Sequence, residues 1–473
     1  MEVLTPDICV IGAGSGGLSV AAAAAGFGVP VVLIEKGKMG GDCLNYGCVP
    51  SKALLAAAKH AVAPKHLTPF GLTLPRAEID FAKVNAHVHG VIAAIAPNDS
   101  TERFTGLGVQ VIEGTARFKD TATVSVGEEF EIKARRVVIA TGSSPAVPPI
   151  RGLPETPYLT NETIFELKRC PEHLIIIGAG PIGLELAQAH RRLGAKVTVL
   201  EAAAPFAKDD PECAAIVLEH LGREGIVIRS GLKVTRIGQA DGKIQAVIET
   251  PQGEQTIEGS NLLIAAGRHP NVDGLDLDKA GIKYGPLGIM VDQGLKTSNR
   301  KVYAIGDVAG GAFTHVANYH AGIVIRNALF RLRAKASDES VPWVTFTDPE
   351  LAHVGLTEAQ ARERHKTIRV LRWPYHENDR AQAERETHGH IKVITAKNGR
   401  ILGATIVGAH AGELITTWTL ALSQKLDIRA MTGIVVPYPT LSEIGKRAAI
   451  SYFVPSLSDP RLRTLVNFLR RFG

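Results

Sequence analysis

The chain predicts an α/β architecture, with two glycine-punctuated βαβ units and a separate α+β domain after them. Three observations carry this. Two stretches repeat one pattern: "ICVIGAGSGGLSVAAAAAGFGVPVVLIEK" and "LIIIGAGPIGLELAQAHRRLGAKVTVLEA". Further apolar runs end in small residues and glycine. From about Val341 the texture changes to strands and helices without any glycine fingerprint.

Each repeat reads as a buried strand, a G-x-G-x-x-G turn, an Ala/Leu-rich helix and a second strand ending in glutamate. The glycines are Gly12, Gly14 and Gly17 in the first repeat and Gly178, Gly180 and Gly183 in the second. Such glycines permit a tight turn and close backbone approach, and the following helix aims its amino terminus at a pyrophosphate. Glu35 and Glu201 then stand where an acid takes adenosine ribose hydroxyls. A bare glycine fingerprint also suits an ordinary strand-to-helix turn. With strand, helix and terminal acid all in register, and the whole unit present twice, two bound dinucleotides are expected.

"VVIATGSSP" and "LLIAAGRHPN" are apolar strands running into glycine, and "KVYAIGDVAGG" is a strand ending at Asp307, where a ribityl or ribose hydroxyl could be held. The later segments "TFTDPELAHVGLTEAQARER" and "HIKVITAKNGRILGATIVG" form the third, α+β domain.

Bulk properties bound the function. A chain of 473 residues exceeds one hydrophobic core and should divide into about three domains. Net charge is +6, and no basic run interleaves with aromatics, which argues against nucleic-acid binding. The first strand begins at Asp7, so no signal peptide is expected. No apolar run reaches ~18 residues, so no transmembrane helix is expected either. Five cysteines in this length do not make a secreted disulfide scaffold, and the expected setting is cytoplasmic.

Two of those cysteines stand in "GGDCLNYGCVPSK", residues 40 to 52. By themselves they admit a metal site, a structural staple or a disulfide that is broken and remade.

Together these motifs resemble, over essentially the whole chain, the flavin-dependent pyridine nucleotide-disulfide reductases, a glutathione reductase-like fold shared by dihydrolipoamide dehydrogenase and mercuric reductase. Their redox motif is a glycine pair, C-x-x-x-x-C and a Pro-Ser/Lys-Lys tail, which residues 40 to 52 match. The resemblance implies two Rossmann-like dinucleotide-binding domains and a carboxyl-terminal dimerisation domain. The boundaries expected are 1–146 with 266–336 for FAD, 147–265 for NAD(P), and 337–473 for the homodimer interface, which completes the partner's active site. FAD is implied on the first fingerprint with Glu35, Lys52, Gly114, Thr141, Gly142, Asp307, Thr314 and His315. A nicotinamide nucleotide is implied on the second with Glu201, Val234 and Gly267.

The same resemblance makes Cys43 and Cys48 a redox disulfide. Cys48 is then the thiol held as a thiolate beside the flavin, and Cys43 the interchange thiol that attacks substrate. Physical reasoning agrees. Residues after Glu35 emerge at the carboxyl edge of the sheet, where the cofactor lies. Residues five apart in a regular helix are too distant for an S–S bond, and Gly41 and Gly47 can supply the distortion. Zinc wants C-x-x-C spacing and two further ligands, which nothing nearby offers, so no metal is expected. A helix beginning near Cys48 would depress its pKa. Lys52 and Glu185 match the family's ion pair near flavin N5.

Glu201 suits a free ribose 2′-hydroxyl and repels a 2′-phosphate, and "AAAPFAK" after it lacks arginines. NADH is the expected donor, with Lys208, Arg191 and Arg192 keeping NADPH as the alternative.

One departure stands out. Where the disulfide reductases carry a His-Pro…Glu acid/base motif, this chain reads "VVPYPTLSEIGKRAA". Tyr438 replaces the histidine, and Glu443 keeps the place of the orienting carboxylate. A phenol of pKa near ~10 is a poor proton shuttle at neutral pH, so slow lipoamide turnover is expected. Mercuric reductases also place tyrosine here, because a soft metal ion needs no leaving-group proton. They add a carboxyl-terminal cysteine pair and an amino-terminal C-x-x-C carrier, whereas here no cysteine follows Cys213. The functions expected are therefore an NADH-dependent reductase of a disulfide or thiol-reactive acceptor, then mercuric reduction, then a low-turnover redox sensor or electron-transfer subunit.

The remaining cysteines, Cys9, Cys170 and Cys213, read as core or incidental thiols. His353 reads as surface or satisfied core, and Trp343 and Tyr319 as packing. In the tail, "RLRTLVNFLRRFG", Leu462, Leu465, Val466 and Leu469 fall on one helical face among arginines. A helix docked on the dimer is the first expectation, and a weak membrane-surface contact the second.

Overall fold

The computed structural model describes residues 1–75 and 77–472. They form two compact units: Met1–Ala203 with Ile226–Ser337, and Ala204–Gly225 with the chain from Asp338 onward. No described helix is long and apolar enough to cross a membrane.

The first unit holds both fingerprints. Its first sheet is parallel and five-stranded, in the order Val302–Ala304, Arg136–Ile139, Ile8–Ile11, Val31–Glu35, Val109–Glu113. The central strands Ile8–Ile11 and Val31–Glu35 are nearly continuous apolar runs because both faces are covered, whereas the edge strand Val109–Glu113 carries exposed Gln110 and Glu113. Ile8, Val10 and Leu33 pack in a cluster with Leu18, Val20 and Ala21 of the helix Ser15–Gly26 and Ile323 and Val324 of the helix Thr314–Ala328. Cys9, Ile11, Val32 and Ile34 point the other way, onto Phe118, Val124 and Ile132 of a smaller sheet. Cys9 is thus a core thiol, which burial pushes up to about 12.

The second fingerprint repeats the plan in a four-stranded parallel sheet: Val227–Arg229, Lys196–Leu200, His173–Ile177, Asn261–Ile264. The helix Pro181–Arg192 follows its glycine turn. Ile175, Ile177 and Leu262 pack on Ile237, Ala246 and Ile248 of an antiparallel three-stranded sheet, and Val234 lies against this cluster.

The second unit is an antiparallel five-stranded sheet: Pro342–Thr345, Glu350–Gly355, Ile401–Gly408, His390–Ala396, Ile368–Pro374. One face, with Ala352, Ile391, Val393 and Ile406, packs on Ile415, Trp418, Ile444 and Ala448 from helices. The other faces the helix Pro211–Arg223. Alternation along the strand His390–Ala396 therefore turns Lys392 toward that helix, where its ammonium meets Asp210 at 2.8 Å, Glu212 at 3.0 Å and Glu358 at 2.8 Å. His353 lies on the same face as a satisfied core residue, bonded to Thr405 and the Gly355 carbonyl with Trp343 against its ring.

Candidate active site

The two glycine turns are near copies. A Cβ on Gly12 would fall 2.5 Å from the Ala140 carbonyl oxygen, and one on Gly178 2.2 Å from that of Ala265. Gly17 and Gly183 would each drive a Cβ into the carbonyl of the first glycine, at 1.9 and 2.1 Å. The chain's own packing therefore requires the outer glycines. Gly14 and Gly180 differ: their backbones are extended rather than left-handed. A Cβ there would meet nothing closer than Gly41 at 4.0 Å for Gly14, and nothing within 4 Å for Gly180. A glycine required neither by φ nor by packing leaves room for something outside the chain. A pyrophosphate at the helix amino terminus fits that space.

The acids repeat as well. Glu35 accepts from the Ala13 N–H at 2.6 Å and the Gly37 N–H at 2.7 Å, and Glu201 from Ala179 at 2.7 Å and Ala203 at 2.8 Å. Each carboxylate is fixed beside its turn with lone pairs left for ribose hydroxyls. Gly114 donates to the Glu35 carbonyl at 2.8 Å. Thr141 and Asn271 bond reciprocally next to Gly142, which is left-handed with open space where a Cβ would stand. Asp307 accepts from Ser143, and Arg268 lies 3.7 Å from Asp307 and 3.3 Å from Asp42. Gly267 has φ +133°, its carbonyl accepting from Ala146. These groups suit FAD on the first turn and a nicotinamide nucleotide on the second.

The cysteine segment is pinned against the first turn. Gly40 and Gly41 both have positive φ, and a Cβ on Gly41 would fall 2.7 Å from the Gly14 Cα. Only a glycine pair lets the chain turn so tightly over the phosphate-binding loop. A short helix, Gly41–Asn45, carries Cys43. The chain then breaks at Tyr46 and Gly47, and a new helix, Cys48–His66, starts at Cys48. Gly47 is needed for space rather than for φ, since a Cβ there would lie 2.9 Å from the Asp42 carboxylate. The break brings residues five apart within contact.

Both sulfurs are thiols, hydrogen-bonded to each other. Cys48 is pushed down to about 6. The bond from Cys43 is the main cause; burial opposes it, and the Thr314 hydroxyl and Lys52 charge reinforce it. Cys43 is raised well above the ordinary thiol range, first by that same bond and then by burial. Negative charge on the dithiol is thereby favoured on Cys48 over Cys43. Lys52 lies one turn along the helix and bonds Glu185 of the second fingerprint helix at 2.8 Å.

Thr314 was expected at the flavin; the structure also puts its hydroxyl 3.4 Å from the Cys48 sulfur, at the start of the helix Thr314–Ala328. His315 beside it stacks on Phe313. Alkylation of the reduced protein should follow a thiolate titrating near 6, and Thr314→Val should move that midpoint up by about one unit. An unmoved midpoint would remove the hydroxyl from the account.

Tyr438 and Glu443 belong to the second unit, where the phenol has a further acidic neighbour, Asp379. Tyr438 is 70 % exposed and donates to Asp379 at 2.9 Å. Glu443 opens the helix Glu443–Ser451 and acts on the phenol through its charge, while Asp379 is the phenol's hydrogen-bond partner. The Asp379 bond is the main cause holding the phenol above its ordinary range. Sequence reasoning missed Asp379, Arg268 and Asn271. The last two lie in the quoted "GRHPN" and carry a signal as polar groups at a strand's carboxyl edge, whereas "HENDRAQ" around Asp379 reads as a capped helix start and nothing more.

Two facing thiols beside two glycine turns of the dinucleotide-binding kind suit a nucleotide-dependent dithiol–disulfide oxidoreductase. Residues 6–322 match the pyridine nucleotide-disulphide oxidoreductase family and residues 341–449 its dimerisation domain, and the chain belongs to that family. It is 37% identical to mercuric reductase of Lysinibacillus sphaericus over 94% of this chain and 82% of that protein. It is 36% identical to dihydrolipoyl dehydrogenase of Thermus scotoductus over 93% and 95%. Among solved structures, the Cu(II) complex of the HOCl-induced flavoprotein disulfide reductase RclA from Escherichia coli superposes with a TM-score of 0.84 at 29% identity, covering 93% of this chain and 98% of that one. The protein is thus a flavoprotein disulfide oxidoreductase of the mercuric reductase, lipoamide dehydrogenase and RclA type, and the family implies FAD and a pyridine nucleotide.

Proposed function

We propose that the protein takes two electrons from NADH through FAD into the Cys43–Cys48 disulfide and passes them to a thiol-reactive acceptor. The proposed working form is a homodimer, with 1–146 and 266–336 holding FAD, 147–265 holding the nucleotide, and 337–473 forming the interface. The observation that carries this reading is the pair of facing thiols, Cys43 and Cys48, placed between the glycine-pair turn and the Thr314 hydroxyl 3.4 Å from the Cys48 sulfur. Bound FAD supplies the exchange between a hydride donor and a two-electron disulfide.

The chain's own residues do the rest. Reduction adds two electrons and one proton to the disulfide, leaving Cys48 as thiolate beside Lys52 and Cys43 as thiol. Cys43 then attacks a disulfide acceptor, one acceptor thiol leaves, and Cys48 closes on Cys43 to expel the second. For an ordinary disulfide, Cys43 must first shed its proton. Tyr438 is a poor base for that, since its hydroxyl already donates to Asp379 and sits above its ordinary pKa. Acceptors needing no such help are favoured: activated disulfides, or soft metal ions that bind both sulfurs. The tyrosine and the similarity to mercuric reductases favour Hg²⁺ as a second reading.

NADH is favoured over NADPH. Glu201 is fixed at the second turn by the Ala179 and Ala203 N–H groups, Arg191 donates to the Ala195 carbonyl, and Arg192 is buried.

The test is a panel of oxidised glutathione, lipoamide, an aromatic disulfide and Hg²⁺ with excess thiol, each with NADH and NADPH. The aromatic disulfide or Hg²⁺ should be turned over fastest, and NADH should exceed NADPH in kcat/KM. Tyr438→His should raise lipoamide turnover by about 10-fold or more. Fast wild-type lipoamide turnover that is indifferent to residue 438 would overturn the proton argument, and no NADH oxidation with any acceptor would overturn the function.

A further inference from the structure

The helix Pro460–Leu469 begins after the residues that match the family's dimerisation domain, which end at 449. It is well formed. Asp459 caps it by accepting from the Arg461 N–H at 2.8 Å, and Pro460 stands in its first turn. Every residue from Pro460 to Phe472 is nevertheless exposed. Leu462, Leu465, Val466, Phe468, Leu469 and Phe472 are between 44 and 74 % exposed. At 100° per residue these six fall on one side of the helix. Arg463, Thr464, Asn467, Arg470 and Arg471 fall on the other, and Arg461 lies within the apolar arc, between Phe468 and Phe472. The 310 turn before it adds exposed Val454 and Leu457.

The segment has four arginines after Asp459 and no acid. Set against itself in a second copy, the helix would bring arginine against arginine, so it suits a place outside the interface formed by the rest of 337–473. A long apolar face flanked by arginines suits a surface that is apolar below and negative above, which is the interface of an anionic bilayer.

We propose that Pro460–Phe472 is a membrane-surface helix that lays its apolar face into an anionic phospholipid leaflet and holds the reductase there. Arg463, Arg470 and Arg471 face the phosphates while Leu465, Val466 and Phe468 enter the acyl boundary. The attachment is peripheral and salt-sensitive. It is independent of the acceptor, so it stands or falls separately from the catalytic reading.

The test uses the FAD-loaded full chain and flotation with two kinds of vesicle, pure phosphatidylcholine and phosphatidylcholine with phosphatidylglycerol. Binding should appear with the anionic vesicles at low salt and fall as salt rises. The triple variant Arg463→Gln, Arg470→Gln, Arg471→Gln should weaken partitioning by about 100-fold. The double variant Leu465→Glu, Phe468→Ser should abolish it while turnover of a soluble acceptor and the solution mass stay unchanged. No flotation with anionic vesicles at low salt would overturn the proposal. So would a change of solution mass in the double variant, because the face would then belong to a contact between copies.

Discussion

Cys43→Ser is expected to lower NADH-linked turnover of every disulfide acceptor by about three orders of magnitude or more, as loss of a nucleophile does. The variant should still fold, bind FAD and be reduced by NADH, because Cys43 supports neither glycine turn. The bond from Cys43 is the largest cause of the Cys48 shift to about 6, so that thiol should titrate higher in Cys43→Ala, which leaves no donor there, than in Cys43→Ser, whose hydroxyl still donates. Cys48→Ser should abolish turnover equally, but by removing the charge-bearing sulfur, and should erase the low titration altogether. Stopped-flow reduction by NADH with the aromatic disulfide as acceptor separates the two half-reactions. If Cys43→Ser kept its acceptor turnover, the dithiol would be a bystander and electrons would leave the flavin by another route.

Lys392→Met should be the most destabilising single change outside the active site. Its side chain is only 4 % exposed, and that of Asp210, at 2 %, would be left buried without this counter-charge. Breaking a buried pair from one side costs about 3–5 kcal/mol. Burial works against the lysine's charge, and the bonds to Asp210, Glu358 and Glu212 outweigh it, holding it above its ordinary range. Asp210 also caps the helix Pro211–Arg223 through the N–H groups of Glu212 and Cys213, so the pair ties that helix to the sheet. Adding Asp210→Asn to Lys392→Met should recover part of the loss, which a double-mutant cycle on thermal unfolding of the second unit would measure. Recovery of nothing would mean that the lysine stabilises through Glu212 and Glu358 alone. Acid acts on the same cluster. Glu212 is held down to about 2, chiefly by Arg372, against a usual 4.5. Its contribution is complete above the usual value and is lost as pH falls toward 2.

The two fingerprints were legible because steric necessity wrote them. Gly12, Gly17, Gly178 and Gly183 each answer to a carbonyl too close for a Cβ, and Gly14 and Gly180 to a space the chain leaves open. The cysteine segment was legible for the same reason, as Gly40, Gly41 and Gly47 mark a chain forced against its neighbours. Lys392 was not. In "HIKVITA" it alternates with Ile391 and Val393 as a solvent-facing residue would, and nothing local tells that the helix Pro211–Arg223 covers that face. Asp379 was hidden by separation: it lies 59 residues from the tyrosine it serves, and the family pattern pointed to Glu443. Such pairings depend on where a remote segment returns, which no periodicity records.

The second unit takes a segment from the middle of the chain, Ala204–Gly225 with the helix Pro211–Arg223, as well as the region from Asp338 onward. Exchange of this region between relatives must therefore be discontinuous. A chimera cut only at residue 337 would mate a foreign helix to the native lysine, whereas transplanting both pieces together carries the charge partners with them.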